Sequence, residues 1–91
     1  MEIRFYIDSE TGEPHILGHN IEEWEATDIL KSPELDYNGR RGTRVAVGQT
    51  RYGRYLRVIY RRLKPGDVRL VITAYDLSPK AKAALRRRRR K

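Results

Sequence analysis

Thr43–Leu77 reads TRVAVGQTRYGRYLRVIYRRLKPGDVRLVITAYDL, and its periodicity decides the fold. Apolar residues alternate with polar ones through Thr43–Thr50, Tyr55–Leu63 and Val68–Leu77, the two-residue period of a β-strand. Gly53 punctuates the junction Arg51–Arg54, and Pro65-Gly66 the junction Lys64–Asp67. Connections this short join antiparallel neighbours. The stretch predicts a three-stranded β-meander.

Alternation also assigns each side chain a face. Val45, Val47, Leu56, Val58, Tyr60, Leu70, Ile72 and Ala74 fall on one face, suited to a core. Arg44, Ala46, Tyr55, Arg57, Ile59, Arg61, Arg69, Val71, Thr73 and Tyr75 fall on the other. That second face is half apolar, unlike an ordinary wetted surface. Two uses fit it. Arginine forks beside tyrosine planes suit phosphates and unpaired bases. A C-terminal helix packed over Ile59 and Val71, with arginine stems laid around it, suits it equally.

Upstream, Ile3, Phe5 and Ile7 alternate with Arg4 and Tyr6 as a short strand, and DSETGEP at 8–14 is turn chemistry. Asn20, followed by Ile-Glu-Glu, predicts a helix over Ile21–Lys31. Asn20 caps it, Glu23 completes a capping box, and Ser32-Pro33 stops it. Ala26, Ile29 and Leu30 form its apolar stripe, and Trp24 lies off that stripe. Residues 38–42 read as a loop. Downstream, Ser78 caps and Pro79 opens a second helix. Its terminal cations at 86–91 repel one another and are expected to fray. The expected architecture is α+β: a short N-terminal strand, one helix packed on an antiparallel meander, and a basic C-terminal helix. It forms one domain, residues 1–85, with a basic tail at 86–91.

With 91 residues, 38% of them hydrophobic, the chain supports one domain with a thin core. It contains no cysteine, which removes disulfides and cysteine-based zinc sites and suits a reducing cytoplasm. The opening MEIRFYIDSE lacks the pattern of a signal peptide, and no apolar run approaches the roughly 18 residues of a membrane span. A cytoplasmic protein with no membrane partner is expected. Net charge is +8 but unevenly spread: residues 1–36 carry ten acidic and two basic side chains, and residues 37–91 carry two acidic and eighteen basic. The second half reads as a surface for something anionic.

HILGHNIEEWEATDILKSP at 15–33, VAVGQTRYGRYLRVIYRR at 45–62 and VRLVITAYDLSPKAK at 68–82 follow one another in the order of a histidine-containing turn, an acidic helix and three strands. This order resembles the small bacterial domains related to the BrnT toxins, within the RelE/ParE-like toxin superfamily. The resemblance covers about residues 15–80. It implies a helix packed on an antiparallel sheet. It also implies metal-independent endoribonuclease activity, in which a 2′-hydroxyl attacks its own phosphate, and restraint by the antitoxin of a type II pair. The BrnT-like toxins end their last core strand in Ile-Ser-Ala-Arg. Ile72-Thr73-Ala74-Tyr75 puts tyrosine in place of that arginine, as in the uncharacterised branch of the family.

RNA is the expected partner, with an antitoxin or another acidic protein beside it. For cleavage, Arg57 and Arg61 are the candidate cations for a phosphorane, and Tyr55, Tyr75 or His15 the candidate proton carriers. Arg44, Arg54, Arg57, Arg61 and Arg69, with the run Arg86, Arg87, Arg88, Arg89 and Arg90, are the candidate phosphate contacts. A non-catalytic nucleic-acid-binding module using the same face, and a protein-interaction domain docking an acidic partner, are the alternatives. His15 and His19, four apart with Gly18 between them, are a thin ligand set; neither a metal nor another cofactor is expected.

Overall fold

The computed structural model describes residues 1–89. The alternating runs form β3 (Arg44–Gln49), β4 (Tyr55–Leu63) and β5 (Val68–Asp76), paired in antiparallel succession as a meander. Two further strands complete the sheet. β1 (Glu2–Phe5) lies parallel to β5, with Glu2 opposite Val68, and β2 (Leu35–Asn38) lies antiparallel to β3. The sheet order is β1-β5-β4-β3-β2, so the two edges are strands from the first half of the chain. Leu35–Asn38 gave no strand signal in the sequence: LDYN is short and carries one aliphatic residue.

Between the edge strands the chain crosses one sheet face through a 3-10 helix, His15–His19, and helix α1 (Glu23–Lys31). Ile16, Ile21, Ala26, Ile29 and Leu30 pack there on Ala46, Leu56, Val58, Tyr60, Val71 and Ala74, with Ile3 and Phe5 at the margin. The predicted cap shifts by two residues. Asn20 adopts φ 60° and closes the 3-10 helix instead, a left-handed position that asparagine tolerates well. Glu22 becomes the N-cap of α1, and its amide donates to Glu25 Oε1 at 3.0 Å.

Helix α2 (Pro79–Arg89) covers the opposite face. Ser78 Oγ accepts from the amide of Ala81 at 3.1 Å, the N-cap expected of it. Leu85 and Ala81 of α2 meet Val45, Val47, Tyr55, Leu77, Leu35 and Ile59. Two face assignments are thereby corrected. Val45 and Val47 point to the α2 side, while Ala46 points to the α1 side. A register shift between Ile59 and Tyr60 pairs Ile59 with Thr73 and Tyr60 with Val71, passing over Ile72. The extra residue turns Val71 into the α1-side core. α2 therefore lies over Ile59, as one of the two readings held, but not over Val71. Of the basic run expected as a tail, Arg86–Arg89 continue α2 as helix, and residues 90–91 lie outside the described residues.

Candidate functional site

Residues 6–15 form a tight loop that folds back on itself. The amide of Asp8 donates to Glu13 O at 2.9 Å, that of His15 to Tyr6 O at 3.0 Å, and Ile7 bridges Pro14. Gly12, at φ 73°, supplies the left-handed turn. The loop carries the carboxylate of Asp8 to the His15 ring, with Oδ2 and Nδ1 3.3 Å apart. The Glu10 amide, and after it the His15 ring, hold the Asp8 carboxyl below the usual carboxylate range.

The 3-10 helix then returns His19 to His15. Their Nε2 atoms stand 3.3 Å apart, with ring planes at 73°. The far side of His19 meets the edge of Tyr75, centroid to centroid at 5.2 Å. Tyr75 is half exposed and pairs in register with Arg57, the exposed residue beside it on β4. Asp8, His15, His19 and Tyr75 thus form a run of side-chain contacts from a loop, through a 3-10 helix, onto β5, and Arg57 stands beside its end as the register partner of Tyr75. The imidazoles and phenol of the run can hold or pass protons, and Arg57 is cationic.

Arg57 also borders the part of the sheet face left open by α2. A cleft of about 160 Å³ beside it is lined by Leu35, Tyr37, Val47, Leu77, Leu85 and Arg88 among others. Tyr37, 44% exposed on the edge strand, puts a second aromatic plane across the sheet from Tyr75. Arg61, partly buried, lies further along β4 on the same side. The hydroxyl of Thr73, across from Ile59, is buried and has no hydrogen-bond partner among the described residues.

Of the five candidates for chemistry, His15 and Tyr75 belong to the run, Arg57 stands beside its end, and Arg61 lies apart on the same face. Tyr55 is placed elsewhere: it is 8% exposed, under α2, with Lys82, Arg86 and Arg89 over its ring. The Arg86 guanidinium, and then Arg89, hold its phenol below the ordinary tyrosine range, against burial, which pushes it up. His19 was legible only as one half of a histidine pair, since a sequence does not reveal which of two nearby imidazoles faces a strand 56 residues later.

The candidate phosphate contacts divide in two. Arg44 binds Asp36, whose other oxygen accepts from the Tyr60 hydroxyl at 2.6 Å. Arg54 donates to Glu25, to the carbonyl of Asn20 and to both oxygens of Asp76. Arg69 lies over the Tyr60 ring beside Asp67. Arg89 binds Glu34, Gln49 and the Tyr55 hydroxyl. Arg51, not among the candidates, grips Asp28 with its fork. Part of the charge imbalance between the two halves is therefore internal complementarity: Asp36, Asp28, Glu25 and Glu34 of the acidic half each pair with an arginine of the basic half. Arg57, Arg61, Arg87 and Arg88 make no ion pair with a carboxylate among the described residues. Arg90 lies outside the described residues.

No family model, curated protein or solved structure matches this chain.

Proposed function

We propose that this chain is an RNA-binding domain of the BrnT/RelE-like kind whose open sheet face holds a single strand, and that the run ending beside Arg57, together with Arg57, cleaves it. The observation that carries this reading is the position of His19, in contact with Tyr75, which pairs in register with Arg57. A proton carrier and an unpaired guanidinium then border one surface, as in-line attack of a 2′-hydroxyl needs. His19, backed by His15 and Asp8, takes or returns the proton. Arg57 meets the phosphorane as a bidentate fork. Tyr37 and Tyr75 offer planes to flanking bases. The loss of arginine at the end of the VITAY strand is compensated in this scheme by Arg57, one strand away.

The unpaired arginines favour a non-catalytic RNA-binding module as the second reading, since they suffice to bind phosphate without chemistry. Incubation of purified protein with a defined single-stranded RNA, followed by analysis of the 3′ ends, separates the two. A cyclic phosphate that vanishes in His19→Ala and falls roughly a hundredfold or more in Arg57→Ala supports cleavage. Salt-dependent binding without any product leaves the module. Absence of binding at low salt removes both and leaves a domain that docks an acidic protein.

A further inference from the structure

The contact between the two histidines has a second chemistry. Zinc held by imidazole nitrogens sits about 2.0–2.1 Å from each, and tetrahedral angles then put those nitrogens roughly 3.3 Å apart. His15 Nε2 and His19 Nε2 stand 3.3 Å apart, the same spacing. On the far side of His15, Nδ1 faces Asp8 Oδ2 at 3.3 Å. A carboxylate in that position accepts a hydrogen bond from Nδ1–H, which keeps the proton there and leaves the lone pair on Nε2, the outer support that metal-bound imidazoles ordinarily have. The cleft in front of the pair, about 240 Å³, is lined by Asp8, Thr11, Glu13, Pro14, Leu17 and Gly18 besides the histidines. It carries two carboxylates and no lysine or arginine, a local field that attracts cations on a chain that is otherwise strongly basic.

From this geometry we propose that His15 and His19 form a two-histidine site for a divalent transition ion of the zinc, nickel and copper class. Without metal, His19 Nε2–H donates to the lone pair of His15 Nε2. On binding, the ion takes that place: the His19 ring proton leaves Nε2 and Nδ1 carries it instead, and both Nε2 lone pairs point at the ion. No group of three or more histidine, cysteine, aspartate or glutamate side chains converges among the described residues. The chain therefore supplies two ligands, and solvent or a substrate oxygen completes the tetrahedron. Such a site binds reversibly, and imidazole selects these ions over magnesium or calcium. The proposal rests on the histidine geometry and stands whether or not the chain binds RNA.

Calorimetric titration of zinc(II) into protein freed of any histidine tag, with cobalt(II) absorption as a reporter of four-coordination, tests it. One ion per chain is expected, with the visible bands of tetrahedral cobalt. Both signals should disappear in His15→Ala and in His19→Ala, and Asp8→Asn should weaken binding by about tenfold to a hundredfold. The two histidines are the only ones in the chain, so their ring resonances in the wild type report without any substitution. Zinc that leaves those resonances in place, binding that survives in both alanine variants, or no binding at millimolar zinc each overturns the site.

Discussion

Arg89, on the last described turn of α2, donates to the hydroxyl of Tyr55 at 3.0 Å and grips Glu34 beside it. One side chain thus ties the C-terminal helix to the start of β4 and to the segment leading into β2. Arg86 and Lys82 lie over the same phenol ring. A buried tyrosine ringed by three cations has consequences for titration and for helix docking.

The Tyr55 phenol titrates below the ordinary tyrosine value of about 10. Between its folded value and about 10, the folded chain binds fewer protons than the unfolded chain, so stability rises with pH there. This contribution is full above about 10 and is lost as pH falls through the folded value. In an ultraviolet phenolate titration, the earliest-ionising phenol should be missing from Tyr55→Phe and should move upward in Arg86→Ala and Arg89→Ala. A first ionisation identical in wild type and Tyr55→Phe would refute the assignment.

Leu85 is the one fully buried side chain of α2 and inserts among Val45, Val47 and Leu77. Leu85→Ala should cost about 2–5 kcal/mol, the range for emptying a buried leucine site. Urea unfolding gives the number. A loss below about 0.5 kcal/mol, typical of a surface change, would mean that α2 is held by its arginines alone.

Thr73 hides a hydroxyl with no partner among the described residues. Valine has the same branched shape without the polar atom. Thr73→Val should be neutral or stabilising, by up to about 1 kcal/mol, because an unsatisfied buried hydroxyl is removed. A clear destabilisation would indicate that the hydroxyl is bonded in solution, by water or by another group.

Arg54 and Arg57 separate folding from binding. Arg54 is committed to Glu25, which is 7% exposed, and to Asp76. Arg54→Ala strands a buried carboxylate and should cost roughly 3 kcal/mol of stability, with no change in the salt dependence of RNA binding. Arg57→Ala should do the reverse: stability holds within about 0.5 kcal/mol, and the log–log salt slope loses about 0.7, one phosphate contact on a single strand. Paired melting curves and salt titrations of the two variants read this directly. Equal slopes in wild type and Arg57→Ala would take Arg57 out of the interface.

The meander, both helices and the N-terminal strand were legible because their signals are local: period two, short glycine-containing junctions, and a serine-proline helix start. The faces of β3 were not, and the reason lies in Arg44–Gln49. Val45 and Val47 looked like core beside Ala46 and Gly48. The α1 side leaves little room beyond a Cβ there: one on Gly48 would stand in ordinary contact, 3.6 Å from Ile29 Cδ1 and from Ser32 O. Close helix approach selects alanine and glycine, and the valines fill the wider space under α2. The bulge at Ile72 was hidden because an unbroken run of alternation does not mark where one residue is skipped. At the site, Arg57 and Tyr75 were legible as sharing one face, and His15 as a candidate proton carrier; their register was not. The contact of His15 with His19, and that of His19 with Tyr75, depended on a loop and a 3-10 helix that periodicity does not encode. An acidic first half and a basic second half also pointed outward to a polyanion, when part of that imbalance is met inside the fold, between Arg44 and Asp36, Arg51 and Asp28, Arg54 and Glu25, and Arg89 and Glu34.

Glu2 stands opposite Val68, and that pairing joins two segments far apart in the chain. β1 gains its partner strand only once β5 has been made. Until then the acidic residues 1–36 lack the arginines that pair with them in the fold. A chain ending before β5 has nothing to seat β1 against, and pairings this distant in sequence belong to the slow class of contacts. α2 follows directly on β5, so the segment that completes the sheet is delivered together with the helix that latches it.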